Sequence, residues 1–434
     1  MTLLKLALFG LVVVSCRALD DRFQEIFRWN TIDVVWPSEE AQTKAYDRNE
    51  YIPENNPIAG IKVWKDKMFL TVPRWKEGVP VTLGVTSAIP VRGVYAPKLE
   101  AYPNWDMQTV GDCRAFQFVQ SMEIDPKGRM WVLDSGRTET MTLQAKARCP
   151  PRLVILDLEN KGQVLRSYQF PPHVTPPESS YLNDIVLDHE DGGMAYITDT
   201  AENDPGIIVF SLRNGTSWKI RDSSMKAEDD AVGFKVLNVH VIQPVHVDGI
   251  ALSPASAPER HVYYSPLSSF YLFSLPTWVM KTPNPNVHDY VRELGRKQSQ
   301  TDGMIMSSSG VLYFGLLADD GISMWNTSSN TPSFNNGQRL ISRDHEKMQW
   351  PDTFAYDERG NLYCVTNSLQ NFIVGRVNTS VPNYRVIRLR TNHKSYQYYD
   401  DSTAPELPVI VAGADRISVA IGTCVAVLLA VIMK

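Results

Sequence analysis

The feature that most constrains the fold is a unit that recurs six times along the chain. Each unit has a short apolar strand, a turn with Asp, Ser or Gly, and a second short strand with an aromatic residue near its centre. In the clearest copy, residues 122–134, Pro126 and Gly128 favour a tight turn between the two strands. The aromatic residues that mark the second strands are Phe69, Trp131, Tyr196, Tyr263, Tyr313 and Tyr363.

The spacing of these aromatic residues indicates an all-β repeat architecture. They are about 50–67 residues apart, near the long end of the periods known for propeller blades. No long stretch shows a strong 3.6-residue apolar period, which disfavours a helical solenoid. Residues 27–35 are strand-like and precede the first unit, so we expect them to complete the last blade and remove its open edge. The sequence therefore predicts an all-β, six-bladed β-propeller closed by an N-terminal strand.

Both ends of the chain carry apolar segments. Residues 1–18 have an early charge, an apolar run and a small-x-small close, which is typical of a secretory signal peptide. The apolar tail, residues 417–434, fits a glycolipid-anchor signal, with a membrane span and free secretion as alternatives. Between them we expect the propeller domain over residues 19–395 and a disordered polar stalk over residues 396–416. The protein is thus predicted to be extracellular, free or anchored at the outer cell surface.

Composition and cysteine positions narrow the classes of protein further. The net charge of −5 argues against a nucleic-acid partner, because no basic surface would neutralise phosphates. The secretory route permits disulfides, and Cys113 with Cys149 is the natural pair. Cys364 lies in an apolar strand pattern, which predicts a buried free thiol. Three sequons predict glycosylation in exposed loops, at Asn214, Asn326 and Asn378.

Several strings resemble the yellow / major royal jelly protein family of insects, and the resemblance runs over residues 27–391. The resemblance implies a six-bladed propeller that is secreted and usually glycosylated. It also implies varied roles: cuticle and eggshell pigmentation or hardening, nutritive storage, dopachrome conversion, and capture of biogenic amines in saliva. Members commonly carry two disulfides, whereas Cys364 here has no evident partner. The strings are Phe27-Arg28-Trp29-Asn30, Tyr51-Ile52-Pro53-Glu54-Asn55-Asn56-Pro57, Val72-Pro73-Arg74-Trp75-Lys76-Glu77-Gly78-Val79-Pro80, Trp131-Val132-Leu133-Asp134-Ser135-Gly136 and Ser265-Pro266-Leu267-Ser268-Ser269.

The chemistry is expected at a set of acids. No nucleophile elbow, phosphate-binding loop, dinucleotide fingerprint or zinc motif appears, so we predict no cofactor and no metal among the site residues. Four aspartates each directly precede the first strand of a unit, and inner strands line the channel of a propeller. The same offset would place four carboxylates around one channel mouth, with Asn183 beside them. The four are Asp184, Asp248, Asp302 and Asp352.

Three interpretations of these acids remain open. They could cap loop-to-strand junctions, hold the ammonium group of an amine beneath aromatic side chains, or bind Ca²⁺ or Mg²⁺. In amine-binding relatives, the resemblance implies that the last unit supplies a polar residue, an Asn and an aromatic residue. The matching positions are Asp352, Asn367 and Leu369, so the aromatic residue is missing, although Phe372 lies close by.

The expected function is an extracellular propeller that binds a small ligand or a matrix partner in cuticle, pigment or eggshell biology. The small ligand would be a biogenic amine or a catechol. The alternative is a dopachrome-converting isomerase of melanin synthesis, in which His246 near Asp248 would act as the general base. A metal-dependent, lactonase-like hydrolase rests on propeller analogy alone. The sequence leaves open whether the chain is catalytic.

Overall fold

Six antiparallel sheets of four strands each form the body of the computed structural model. The structure describes residues 23–283, 286–328 and 333–410. The first strand of the chain is β1 (Gln24–Trp29). Blade 1 contains β2 (Gly60–Trp64), β3 (Lys67–Thr71), β4 (Leu83–Ser87) and β5 (Glu100–Ala101). Blade 2 contains β6 (Val119–Ile124), β7 (Arg129–Asp134), β10 (Arg152–Asp157) and β11 (Gln163–Gln169), and between its middle strands lies a hairpin of β8 (Arg137–Thr138) and β9 (Lys146–Ala147).

The remaining blades follow in chain order. Blade 3 contains β12 (Leu182–Asp188), β13 (Met194–Asp199), β14 (Gly206–Ser211) and β15 (Thr216–Ile220). A separate hairpin follows, made of β16 (Phe234–Val236) and β17 (Val239–Val241). Blade 4 contains β18 (Val247–Leu252), β19 (His261–Pro266), β20 (Tyr271–Pro276) and β21 (Arg292–Arg296). Blade 5 contains β22 (Met304–Met306), β23 (Val311–Leu316), β24 (Gly321–Asn326) and β25 (Arg339–Arg343). Blade 6 contains β26 (Trp350–Tyr356), β27 (Asn361–Asn367) and β28 (Tyr384–Arg390), and β1 completes it.

Short helices lie in the connections. The longest of those described is α1 (Glu39–Asp47), whose first turn is capped by the Ser38 hydroxyl, an acceptor for the Ala41 N–H at 3.1 Å. The others are α2 (Thr277–Met280), α3 (Phe334–Gly337) and α4 (Leu369–Ile373). Single 3₁₀ turns span Pro53–Asn55, Asp106–Gln108, Glu190–Gly192, Ser223–Met225, Asp229–Ala231 and His288–Tyr290.

The predicted repeat is confirmed, because the six marker aromatic residues all lie on the second strands of their blades. Five of them are buried between neighbouring sheets, and Tyr263 is half-buried. The predicted turn at Gly128 is also present: its φ is +73° and its N–H donates to the Asp125 carbonyl at 2.8 Å. Each unit is therefore one blade, and the aromatic residue fills the wedge between blades.

The ring is closed by pairing between the two ends of the sheet-forming chain. Strand β1 runs antiparallel to β28, with Phe27 opposite Val386 and Trp29 opposite Tyr384. The expected closure is confirmed, but β1 ends at Trp29 and not at residue 35. Residues 30–35 leave the sheet and make a single bridge, between Val34 and Leu99.

The predicted cysteine chemistry is also confirmed. Cys113 and Cys149 form a disulfide across a separation of 36 residues. Cys364 is fully buried on β27 and is a free thiol. Burial raises the pKa of the Cys364 thiol well above its usual range, which keeps it protonated and unreactive.

The residues after blade 6 close one end of the channel. Tyr396 and Gln397 are each 1% exposed, so the prediction of a disordered stalk is wrong at these positions. The Tyr396 hydroxyl accepts a hydrogen bond from the Leu187 N–H at 2.8 Å, and the Gln397 amide donates to the Ile124 carbonyl at 2.9 Å. Polar residues remain ordered here because the ends of the inner strands offer them hydrogen-bond partners.

The chain continues along the same end of the propeller. Lys127 and Arg129 donate to the carbonyls of Leu407 and Pro408, at 3.4 and 2.6 Å. The predicted signal peptide, the end of the predicted stalk and the apolar tail lie outside the described residues. Within the described ranges, no helix has the length and apolar character that a bilayer crossing requires.

We expect Tyr396→Ala to lower the free energy of unfolding by about 3–5 kcal/mol, because it leaves a large cavity and an unpaired Leu187 N–H. Urea denaturation followed by tryptophan fluorescence measures the change. The matched control is Tyr399→Ala, since Tyr399 is 38% exposed and its loss should change stability by no more than about 0.5 kcal/mol. Equal stabilities of the two variants would show that this segment does not close the channel.

Candidate functional site

The four predicted aspartates all lie at the start of the inner strands of blades 3 to 6. Asp302 precedes β22, as expected, whereas the other three lie inside their strands, which corrects the predicted position. At those three the pairing with the second strand shifts register, between residues 182 and 185, 247 and 250, and 351 and 354. Such an irregularity leaves a residue out of the ladder and can turn its side chain away from the sheet. Sequence periodicity does not show it, because one extra residue is invisible in a short strand.

Glycines let neighbouring inner strands approach closely at this level. A Cβ atom on Gly249 would lie 2.1 Å from the Asp302 carbonyl oxygen, and one on Gly303 would lie 1.9 Å from the Asp352 carbonyl oxygen. Each glycine directly follows one of the aspartates, so each blade makes room for the backbone of the next. This contact brings the aspartates of blades 4, 5 and 6 together.

The carboxylates have unequal hydrogen-bond partners. Asp302 accepts from the Trp350 indole N–H at 2.5 Å, and Asp352 accepts from the Asn367 amide at 2.7 Å. Asp248 shares a hydrogen bond with Asp302. Oδ1 of Asp248 is buried, and no described residue donates a hydrogen bond to it. Asn183, predicted beside the acids, instead donates to the Thr200 hydroxyl at 3.1 Å.

Burial and mutual repulsion favour protonation of this acid cluster, which we define as Asp184, Asp248, Asp302 and Asp352. Desolvation raises the pKa of Asp302 to about 7. It also raises the pKa values of Asp248 and Asp352 well above their usual range, and the neighbouring carboxylates add to the effect. The four groups therefore do not all ionise at neutral pH.

Lys62 supplies a positive charge beside Asp184 of the acid cluster. The Lys62 ammonium lies 3.4 Å from Glu123 Oε2 and donates to the Phe354 carbonyl at 3.1 Å. Burial raises the pKa of Asp184, and the Lys62 charge opposes that rise. Because the ammonium is already shared with Glu123, it compensates the cluster only in part.

Aromatic side chains cover the acid cluster. The Trp75 indole N–H donates to the Tyr181 hydroxyl at 2.5 Å, and the Trp75 ring lies 5.7 Å from the ring of Phe372. On the other side, the Phe234 and Trp350 rings lie 6.0 Å apart. Burial and the charges of three cluster aspartates raise the pKa of Tyr181, so its phenol stays neutral. The acid cluster therefore lies beneath a layer of aromatic side chains.

Sequence reasoning found some of these residues and missed others. Phe372 does join the aromatic cover, and Asn367 does contact Asp352. Trp350 was missed, although its place two residues before Asp352 is a usable signal. Tyr181 and Phe234 come from connections between blades, where no periodicity marks them.

The predicted general base, His246, is held by the backbone. Its Nδ1 accepts a hydrogen bond from the Ala227 N–H at 2.9 Å, and its Nε2 lies 2.9 Å from the Glu202 carbonyl oxygen. Nε2 therefore carries the proton, and the lone pair of Nδ1 is already used. To accept a proton, this imidazole would have to give up the Ala227 hydrogen bond.

The other predicted positions are spread over the surface. Asn214 and Asn378 are exposed, and Asn326 is half-buried at the end of β24. In the part of the chain that the structure describes, no group of three or more His, Cys, Asp or Glu side chains could hold a metal ion.

The fold and this site define a closed six-bladed propeller with an acidic, aromatic-covered channel mouth. Residues 117–397, more than half of the chain, match the family described as Major royal jelly protein. The chain therefore belongs to the major royal jelly protein family, as the sequence resemblance indicated.

The chain is also similar to individual relatives and to solved structures. Protein yellow of Drosophila subobscura is 28% identical over 396 residues, which cover 88% of this chain and 68% of that protein. Protein yellow of Drosophila pseudoobscura pseudoobscura is 28% identical over 400 residues, covering 89% and 70%. The structure of a putative gluconolactonase superposes with a TM-score of 0.45 at 12% identity and covers 87% of this chain and 94% of its own. This structural likeness is too low to support an inference about activity.

The raised pKa of Asp302 predicts a pH-dependent cost to stability. The folded-state pKa of about 7 exceeds the unfolded value of about 3.9, so the folded protein binds more protons between these values. Stability should therefore fall as pH rises from about 4 to about 7. Asp302→Asn removes this titration. Between about pH 4 and about pH 7, the free energy of unfolding of the variant should therefore rise by a few kcal/mol relative to that of the original protein.

Urea denaturation at about pH 4.5 and about pH 7.5 measures this difference. Asp229→Asn is the control, because Asp229 is exposed and its replacement should leave the pH dependence as it is. If Asp302→Asn and the original protein lost stability in parallel, the proton would not reside on Asp302.

Proposed function

We propose that this chain is a secreted propeller that binds a small aromatic amine at the acid cluster. The observation that carries the proposal is the buried, unpartnered Oδ1 of Asp248, which lies among acids and beneath aromatic side chains. An ammonium group has three N–H donors and a positive charge, and it would satisfy this oxygen and relieve the repulsion between the acids. The ring of the same ligand would pack against Trp75, Phe372 and their neighbours.

The electrostatics of the acid cluster support a cation over other ligands. Clustered carboxylates in a buried site attract positive charge and repel anions. A cation that enters would stabilise the ionised acids, lower their pKa values and release protons to the solvent. Neutral rings would gain the aromatic contacts without the charge interaction, and we therefore expect them to bind more weakly.

Membership of the family supports an extracellular setting for this binding. The roles that the resemblance implies, in cuticle, pigment and eggshell, would bring the chain close to biogenic amines and catechols. A matrix partner and attachment at the outer cell surface remain predictions of the sequence, and the tail on which attachment depends lies outside the described residues.

A dopachrome-converting isomerase is the second candidate function, and one observation favours it. Asp302, with a pKa of about 7, is a group that could both accept and donate a proton beneath aromatic walls. It would take the role that the sequence assigned to His246. Faster loss of dopachrome absorbance than in buffer, abolished by Asp302→Asn and kept in His246→Gln, would support this function.

Isothermal titration calorimetry with dopamine, serotonin, octopamine and histamine tests the binding proposal. We expect saturable binding of at least one aromatic amine and at least a roughly tenfold loss of affinity in Asp248→Asn, because the amide cannot ionise when the ammonium group binds. Asp229→Asn is the matched control and should bind like the original protein.

Two further outcomes decide whether binding depends on the positive charge of the ligand. Catechol, which has the ring but no amine, should bind at least about tenfold more weakly than dopamine. Silence across all four amines, or equal affinity for catechol and dopamine, would reject amine binding at the acid cluster.

A further inference from the structure

A second cleft lies between α1 and the connection that follows β3. Its volume is about 580 Å³, within the range of roughly 300–1,000 Å³ that is usual for small-molecule pockets. Two cavities inside the channel measure only about 20 and 30 Å³. Trp75 separates this cleft from the acid cluster, since it packs into the aromatic cover while its neighbours Arg74 and Lys76 line the cleft.

The walls of the cleft are preformed. The buried Arg74 guanidinium donates to five backbone carbonyls at 2.7–3.1 Å, those of Val79, Pro80, Gln108, Phe116 and Gln117. Gly78 has a φ of +77°, and a Cβ atom there would lie 2.6 Å from the Ile52 side chain. The connection therefore has one well-defined conformation, and a ligand would not have to order it.

A pair of stacked indoles forms a platform at the cleft. The Trp36 and Trp105 rings lie 5.4 Å apart at an interplanar angle of 24°, and both are half-buried. Tyr51 meets Trp36 edge-on at 5.7 Å, and the Trp105 indole N–H donates to the Val35 carbonyl at 3.3 Å. These contacts hold the two rings in place while part of their surface stays open.

The charged side chains of the cleft offer a ligand hydrogen-bond acceptors and few hydrogen-bond donors, because the donors of the cations are already used. Arg74 uses its donors on backbone carbonyls, and the Lys76 ammonium donates to the Phe372 carbonyl at 2.9 Å and lies 4.0 Å from that ring. Glu139 is paired with Lys146 at 2.7 Å. Glu50 and Glu77 line the cleft and are exposed. This set disfavours phosphate and carboxylate ligands, which need free cations.

We infer that this cleft binds a neutral oligosaccharide. A pyranose ring has one apolar face of C–H groups that can lie flat on an indole, and its hydroxyls can donate to the carboxylates. A volume of about 580 Å³ suits more than one sugar ring and exceeds what a monoamine would fill. Ion pairs with exposed carboxylates contribute little to affinity in water. The ligand is therefore selected by its contact area on the indoles and by hydrogen bonds from its hydroxyl groups, and not by a positive charge.

Titration of the full chain with chitotriose, cellotriose and maltotriose tests this inference, by calorimetry and by quenching of tryptophan fluorescence. At least one sugar should bind saturably. Trp105→Ala removes half of the platform, and Ala41→Phe fills the cleft from the exposed side of α1 while leaving both indoles in place. Each variant should weaken sugar binding at least about tenfold.

The controls separate this site from the acid cluster. Trp278→Ala removes an indole that is 54% exposed elsewhere on the surface, and it should bind sugars like the original protein. Asp248→Asn should keep sugar binding, whereas Ala41→Phe should keep amine binding. No saturable signal with any of the three sugars, unchanged affinity in Ala41→Phe, or capture of an aromatic amine that Ala41→Phe abolishes would overturn the inference.

Discussion

Pairing of β1 with β28 is the interaction on which the rest of the structure depends. A propeller is a ring, and a ring of sheets buries its inner edges only when the last blade meets the first. Here the antiparallel pairing sets Phe27 opposite Val386 and Trp29 opposite Tyr384, residues more than 350 positions apart in sequence. This closure completes the ring in which the inner strands of blades 3 to 6 bring the acid cluster together.

The ends of the channel have different chemistry. At one end, the acid cluster lies under aromatic rings, and the glycines that follow Asp248 and Asp302 let the strands approach. At the other end, Tyr396 and Gln397 close the channel with side chains that satisfy strand-end hydrogen bonds. The acid cluster thus lies at the end of the channel opposite Tyr396 and Gln397. A buried cluster of like charges stores unfavourable energy that a cation can relieve, which is why we propose amine binding at this end.

The two proposed sites share one segment of the chain. Trp75 packs over the acid cluster, while Arg74 and Lys76, on either side of it, form the wall of the indole-lined cleft. Residues 72–80, one of the strings that resemble the family, therefore separate two proposed sites of different chemistry, one acidic and buried, the other aromatic and open. The hydrogen bonds of the Arg74 guanidinium stabilise the backbone conformation of this segment, since they all go to backbone carbonyls.

The sequence by itself determined the six blades, the closing strand, the disulfide, the buried Cys364 and the placing of four acids near the starts of inner strands. Those features follow from local patterns, because strand alternation, turn chemistry and a repeated offset are written along the chain. Only the tertiary structure decided which side chains meet. It placed Tyr396 in the channel, where a disordered stalk was expected, and it showed both ring nitrogens of His246 in contact with backbone groups. It also brought Tyr181 and Phe234 over the acid cluster. Contacts of that kind join blades far apart in sequence, and no local pattern records them.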